Sequence, residues 1–270
     1  MLALSRSFFA QRDILEVDVP ILSPTASIDL HIDLIEAQCC GERAFLHSSP
    51  EYGMKRLLAE GIGDIYQISH VFRDNERGSR HTPEFMMAEW YRIGFTFQKM
   101  LTETLDFIYL FLDTLPQAHE TVSYHDVFIR SIGRYPLSLE ERDAIYAFEI
   151  EPHFGKETLT VITDFPPEQA ALSKIGESGM AERFEVYFQG IELANGYHEL
   201  IDSEEQRSRI MTTNKEREKY GKRALPIDEK FIDALEQGIP DCCGVAVGFD
   251  RLMMLRHQLE EIRNASCFFI

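Results

Sequence analysis

Two stretches that alternate polar and apolar residues around short turns, with helical segments between and after them, predict an α+β fold built on antiparallel strands. The first runs from 65 to 91. An apolar strand ends at Phe72, a polar loop carries Arg77, Arg80 and His81, and a second strand starts at Glu84. Alternate residues of a strand share a face. Phe85, Met87, Glu89 and Tyr91 therefore point one way, and Glu84, Met86, Ala88 and Trp90 the other. An aromatic plate, a carboxylate and a phenol beside Arg73 and the loop cations suit a ligand with a flat ring, phosphates and a cationic group. An amphipathic hairpin with a solvated loop is the alternative this stretch leaves open.

The second stretch, 184–200, reads FEVYFQGIELANGYHEL. A two-residue turn at Gln189-Gly190 sets Phe188 against Ile191 and Tyr187 against Glu192. Glu185, Tyr187, Glu192 and Ala194 then share a face. Two carboxylates so placed repel unless something cationic lies between them. A divalent ion with hard oxygen ligands, magnesium, is one reading, and two solvated glutamates the other. Strict alternation puts Asn195, Tyr197 and Glu199 on the opposite face, unless a bulge at Gly196 swings part of that set back.

The third signal is 243–255, where a glycine-containing strand runs straight into a helix beginning near Asp250. Gly244 and Gly248 permit a close ligand approach, and Arg251 sits at a helix start, a good place for an anion. No Walker loop or GxGxxG occurs.

The remaining elements follow in order. Residues 2–12 read as a helix, and Leu15, Val17 and Val19 alternate in a strand stopped by Pro20. Residues 23–43 mix loop and strand. Ser49-Pro50-Glu51 opens a helix, with Ser49 as cap and Gly61 and Gly63 at its end. Helical spacing covers 96–115, and a short helix covers 124–132. Residues 133–156 show no period, carry Pro136, Pro152 and Gly155, and read as an insertion on the core. A strand follows over 159–165. Ser203 with Gln206 suggests a capping box opening a charged, solvated helix to about Tyr220, and Phe231, Ile232 and Leu235 mark another helix ending at Gly238.

Composition limits the function. Twenty-seven basic against 45 acidic residues give a net charge of −18. That opposes a large phosphate-contacting surface and favours cationic partners or substrates. No apolar run approaches the ~18 residues of a membrane span. The start lacks the basic and apolar pattern of a signal peptide. Five cysteines, with two adjacent pairs and no CxxC, argue against a disulfide framework or a zinc site, and for the cytosol. No nucleophile–base arrangement stands out, so covalent catalysis is not indicated.

Together, RDILEVDVPILSP, FRDNE…RHTPEF and GVAVGFDRL resemble the three motifs of a class II aminoacyl-tRNA synthetase catalytic core. SPEYGMKRLL, EFMMAEWY and ELANGYHEL resemble its lysine-specific branch. AERFEVYFQGIELANGYHEL and GIPDCCGVA resemble, more narrowly, the elongation factor P–(R)-β-lysine ligases, paralogues of lysyl-tRNA synthetase. The resemblance spans about 8–255. The resemblance implies one class II synthetase-like catalytic domain over 1–270. That domain would be a mostly antiparallel sheet flanked by helices, with an insertion at about 120–157. No anticodon-binding domain is expected, and dimerisation runs through the first motif. It implies ATP and Mg²⁺, activation of (R)-β-lysine or lysine as an adenylate, and transfer to a lysine of elongation factor P. An α-lysine-activating ligase and a non-catalytic regulatory paralogue are the rival readings. The acidity of the chain disfavours tRNA.

By matching positions, the resemblance assigns Arg73 to the α-phosphate and Arg251 to the γ-phosphate. It stacks Phe85 on adenine, with Arg251 on the other side of the base. Arg80 and His81 lie near the outer phosphates, Gly248 borders the nucleotide, and Glu185 and Glu192 hold the metal. Glu51 and Glu89 take the backbone-side amine, Tyr91 and Glu199 the ε-ammonium, and Asn195 the carboxylate. Ala246 stands where lysyl-tRNA synthetases typically carry glycine, a methyl in the pocket wall worth ~1–3 kcal/mol of discrimination. Three departures accompany this. FRNE reads FRDN, with Asn75 in place of the usual glutamate and Glu76 following directly. The insertion is shorter than in most relatives, and the C-terminal NASCFFI lacks the usual closing pattern.

Overall fold

The computed structural model describes residues 1–115 and 117–266, so residues 267–270, which carry part of the expectation about the C-terminus, lie outside the described residues. Helix α1 (Leu2–Ala10) leads to a two-residue strand β1 (Leu15–Glu16). A small sheet follows from β2 (Leu22–Ser23), β3 (Glu36–Cys39) and β4 (Glu42–Leu46). Helix α2 (Glu51–Ala59) precedes the long hairpin β5 (Ile65–Phe72) and β6 (Glu84–Ile93), and α3 (Phe97–Tyr109) ends the first half. Then come β7 (His119–Ser123), α4 (Tyr124–Ile132), α5 (Leu139–Ile145) and β8 (Leu159–Thr163). The hairpin β9 (Arg183–Phe188) and β10 (Ile191–His198), helices α6 (Ser203–Lys219) and α7 (Glu229–Gln237), strand β11 (Cys242–Gly248) and α8 (Phe249–Arg256) complete the order.

Eight strands form one sheet in the order β1-β5-β6-β11-β10-β9-β8-β7. Only the outer pairs, β1 with β5 and β7 with β8, run parallel; the interior is antiparallel. One face is sealed. Ala88, Trp90, Val245, Val247, Phe184 and Val186 meet α1, α3 and α8 there, around fully buried Phe9, Phe107 and Trp90. The rings cross at 5.2–5.3 Å between centroids, as aromatic quadrupoles favour. On the other face two apolar clusters stand apart. One gathers α2, α7, Ile65 and Tyr91, and the other gathers α4, Ile162, Phe165 and Tyr187. The open middle of that face is the candidate site.

Several expectations are corrected. The strand through 15–19 pairs over only two residues, because Gln67 Oε1 takes the Val19 N–H at 2.9 Å and draws the chain off the ladder. The helix expected over 96–115 stops at Tyr109, and the strand expected over 159–165 at Thr163. Residues 119–123, given no element, form an edge strand paired with β8. Residues 133–156 are largely helical. Ser138 caps α5 by accepting from Glu141 N–H, and a π-helical turn, Tyr146–Ile150, extends it. Pro152 falls in a short 3₁₀ turn after that, so it does not break the helix. Helix α2 begins at Glu51 rather than Pro50, although Ser49 Oγ still accepts the Glu51 N–H. Asp202, not Ser203, caps α6, and Gln206 is buried instead of closing a capping box. Most of α6 is solvated, but its Arg217 is buried and donates to the carbonyls of Asp29 and Ile32, which ties the first loop down.

The sealed face generates a stability prediction. Phe107 is completely buried among four aromatic neighbours. Phe107→Ala is expected to cost about 3–5 kcal/mol, measured by urea unfolding. A loss under about 1 kcal/mol would mean that this face is not the core.

Candidate active site

Strand register lays the site out in rows. Glu89 pairs with Ala246, Ala246 with Asn195, and Asn195 with Glu185, so one row crosses β6, β11, β10 and β9. The neighbouring row is Tyr91, Gly244, Tyr197 and Arg183. The hairpin turn is as expected. Gln189 and Gly190 both take left-handed backbone, at φ 52° and 66°, and Phe188 and Tyr187 oppose Ile191 and Glu192. The bulge lies at Leu193, not at Gly196. Leu193 and Ala194 both enter the sealed core, so Ala194 leaves the face expected for it. Asn195, Tyr197 and Glu199 come round to the side of Glu192.

At one end of the rows two carboxylates pair with a buried ammonium, and a third is held beside them by hydroxyls. Lys55 Nζ, 1% exposed, lies 2.8 Å from Glu51 Oε1 and 2.6 Å from Glu199 Oε2. Glu89 accepts from Ser49 Oγ at 2.8 Å and from the Tyr91 hydroxyl at 2.7 Å. Burial, and next the charge of Glu51, push Glu89 up to about 8. Burial pushes Glu199 up to about 7 against the pull of Lys55. Lys55 is raised and stays an ammonium: burial opposes its charge, and the two carboxylates outweigh that. Gly244 is required here, since a Cβ would stand 2.3 Å from Glu199 Oε1 and 2.4 Å from the Tyr91 ring.

The other end is cationic. Arg73 lies over the Phe85 ring at 5.1 Å and 3.8 Å from Glu76, with its Nε buried and without a hydrogen-bond acceptor among the described residues. The guanidinium over Phe85 is that of Arg73. Arg251 donates from Nη1 to the Glu192 carbonyl at 2.8 Å. Burial, and next the charge of Arg251, push His81 below its ordinary value, so its neutral Nε2 accepts from Arg251 Nη2 at 3.0 Å. Arg80 donates to the Gly190 carbonyl at the hairpin tip. Gly248 precedes α8 and packs against the Arg251 stem, at 3.2 Å from where a Cβ would lie to Cδ. Asn75 is exposed and left-handed at φ 61°, whereas half-buried Glu76 is the acid that reaches Arg73.

Between the ends, Glu185 is held by three donors. It accepts from Arg183, from Tyr187 at 2.6 Å and from Tyr146 at 3.3 Å. The Glu192 carboxylate has Arg251 at 3.7 Å and is raised first by burial and then by Glu185. Among the described residues no three His, Cys, Asp or Glu side chains gather as a closed metal cage. This donor set fits an ion that takes one or two carboxylates and completes its shell with phosphate oxygens and water, the habit of Mg²⁺. Glu192 would be the principal ligand and Glu185 the supporting one.

Sequence reasoning missed five participants. Lys55 carried a signal, being four residues after Glu51 on the apolar face of a helix. Arg183 precedes Glu185 by two on the same strand, and Tyr187 was placed on the right face but given no role. Tyr146 and Glu151 lie in the stretch without a period. Glu151 is pushed up to about 7 by burial and then by Glu192 and Glu185.

Residues 1–269 match the family described as tRNA synthetases class II (D, K and N), and the chain belongs to that family. It is similar to three proteins named elongation factor P–(R)-β-lysine ligase. The identity is 41% with that of Haemophilus influenzae, over 100% of this chain and 93% of the relative. With the Proteus mirabilis protein it is 41%, over 97% and 90%, and with the Salmonella typhi protein 39%, over 100% and 93%.

Glu89 gives the site a pH signature. Its ordinary value is 4.5 and its folded value about 8. The stabilisation is complete below 4.5 and is lost as pH rises toward 8, where the unfolded chain is ionised and the native one still holds the proton. Unfolding free energy of the ligand-free chain should fall over that window, and Glu89→Gln should flatten the fall. An unchanged slope in the variant would assign it elsewhere.

Proposed function

We propose that this chain activates (R)-β-lysine with ATP and transfers it to a lysine side chain of elongation factor P. The observation that carries the reading is one sheet face with the buried carboxylates of Glu89 and Glu199 and a phenol, joined by the partly buried Glu51 of α2, at one end, and Arg73, His81 and Arg251 at the other. A diamino acid would place its ammonium groups among Glu51, Glu89, Glu199 and Tyr91. Its carboxylate would reach along the row toward Asn195 and Arg73. ATP would stack its base by Phe85 and run its phosphates past Arg73, Arg80, His81 and Arg251, bordered by Gly248, with Glu76 and Asn75 at the loop. Supporting the choice within the family are the similar proteins named for this ligation.

The first step needs no general base. The amino-acid carboxylate attacks the α-phosphorus in line, pyrophosphate leaves, and an aminoacyl-adenylate remains. Catalysis is positioning and charge neutralisation. Arg73 is suited to the charge that builds on the α-phosphoryl oxygens, since its buried Nε has no acceptor among the described residues. Magnesium bound by Glu192 and Glu185 would neutralise the outer phosphates. In the second step the acceptor amine attacks the acyl carbon and AMP leaves. The methyl of Ala246, in the row between Glu89 and Asn195, narrows the wall where an α- and a β-amine differ in position.

The same reading takes the chain as one cytosolic catalytic unit, with the segment around 120–157 as a wall of the phosphate end, not engaged with tRNA. It is a homodimer through its N-terminal elements. Leu2, Leu4, Leu15, Ile21 and Leu22 are all exposed, an apolar surface that a second copy would cover. Among the described residues no helix is long and apolar enough to cross a membrane.

Amino-acid-dependent ATP–pyrophosphate exchange tests the reading. Exchange is expected with (R)-β-lysine in preference to α-lysine, and Arg73→Ala should slow it by roughly 10²–10³-fold. Preference for α-lysine would overturn the β-lysine assignment. Absence of exchange with either would leave a binding protein in place of an enzyme.

A further inference from the structure

The ammonium of Lys55 already occupies the space between two of the carboxylates that the proposed ligand would need. It touches one oxygen of Glu51 and one of Glu199, and its tip lies 5.9 Å from the centre of the Phe231 ring. Every element packed on it brings ionisable groups. Helix α2 brings Glu51 and Tyr52, β6 brings Glu89 and Tyr91, β10 and its end bring Tyr197 and Glu199, β11 brings Cys242, and Asp228 caps α7. Lys55 pairs with two of the three carboxylates, Glu51 and Glu199, while Glu89 is held by Ser49 and Tyr91, so the remaining oxygens of the set are left to receive a ligand with two ammonium groups. Without Lys55, Glu51 and Glu199 would lose the cation that lies between them, beside the buried Glu89. Such a set takes up protons, because an uncompensated buried charge costs several kcal/mol.

We propose that Lys55 is a positioning residue for the diamino-acid ligand, a built-in third ammonium that pairs with Glu51 and Glu199 and keeps them aimed into the pocket. The inference rests on the reading of this pocket given above. Lys55 does not touch the ligand; it acts through the two carboxylates. A proton taken up in its place would convert a carboxylate from acceptor to donor, and the ligand's ammonium would have to displace it.

The test compares the full chain with Lys55→Met and Lys55→Arg across about pH 6 to 9. In Lys55→Met the KM for the diamino acid in pyrophosphate exchange should rise roughly tenfold or more near neutral pH. That penalty should shrink as pH rises, while kcat falls less, and Lys55→Arg should recover part of the loss. A pH-independent loss accompanied by a lowered Tm and weakened ATP binding would make Lys55 merely structural and overturn the proposal. A second measurement needs no ligand: carboxyl ¹³C titration of the free proteins. Midpoints of the buried glutamates should move up by at least about one unit in Lys55→Met. Unmoved midpoints overturn this inference alone. A wild-type chain that activates neither lysine isomer overturns the pocket reading, and this inference with it.

Discussion

One extra residue in β10 decides which side of the sheet carries the chemistry. Side chains alternate with a period of two, so a single inserted residue flips all that follow. Leu193 is that residue. Glu192 lies before it and Asn195, Tyr197 and Glu199 after it, and all four reach one face because Leu193 and Ala194 both turn into the core. Remove the bulge and Glu199 would point into the sealed aromatic face, away from Lys55. The bulge is held from both sides. The tip of the Phe184 ring packs against Gly196, so close that a Cβ would sit 2.2 Å from its Cζ, and Leu193 and Ala194 are buried.

With that face fixed, the electrostatics divide it. Glutamates are expensive to bury, and here each has a partner of a different kind. Glu51 and Glu199 share an ammonium, Glu89 accepts two hydroxyls, and Glu185 accepts a guanidinium and two phenols. Glu192 stands apart, with Arg251 3.7 Å from its carboxylate. Pre-paired groups need no reorganisation when a charged ligand arrives. The Glu192 carboxylate and the Arg73 Nε are left less satisfied than these.

The sequence made the interior strands and the two informative hairpins legible because their periodicity and turn chemistry agree. It gave β5 to the residue and the register at Gln189-Gly190. It failed where local signals were silent about distant partners. Strand β7 is short, polar and held only at the sheet edge by β8. The π-helical turn has no period to read, yet its Tyr146 reaches Glu185. The bulge was foreseen, but at Gly196, the residue that looks like a bulge. The actual one is marked by two apolar neighbours, Leu193 and Ala194, which alternation alone cannot detect. Of the site, the carboxylates were found individually, while Lys55 and Arg183, the cations that bind them, were not.

The same separation of backbone and side-chain demands accounts for Asn75. The motif loop turns there through φ 61°, with the Asn75 N–H on Asp74 Oδ1 at 2.8 Å and Asp74 N–H on the Asp33 carbonyl at 2.8 Å. Left-handed backbone is strained for most side chains and tolerated by asparagine. A glutamate at 75 would have to meet that cost while also reaching for a ligand. Here the roles are divided over two residues. Asn75 makes the turn and faces solvent, and Glu76, half-buried, extends toward Arg73. The departure from FRNE therefore preserves an acid beside the arginine and moves it one position along the chain.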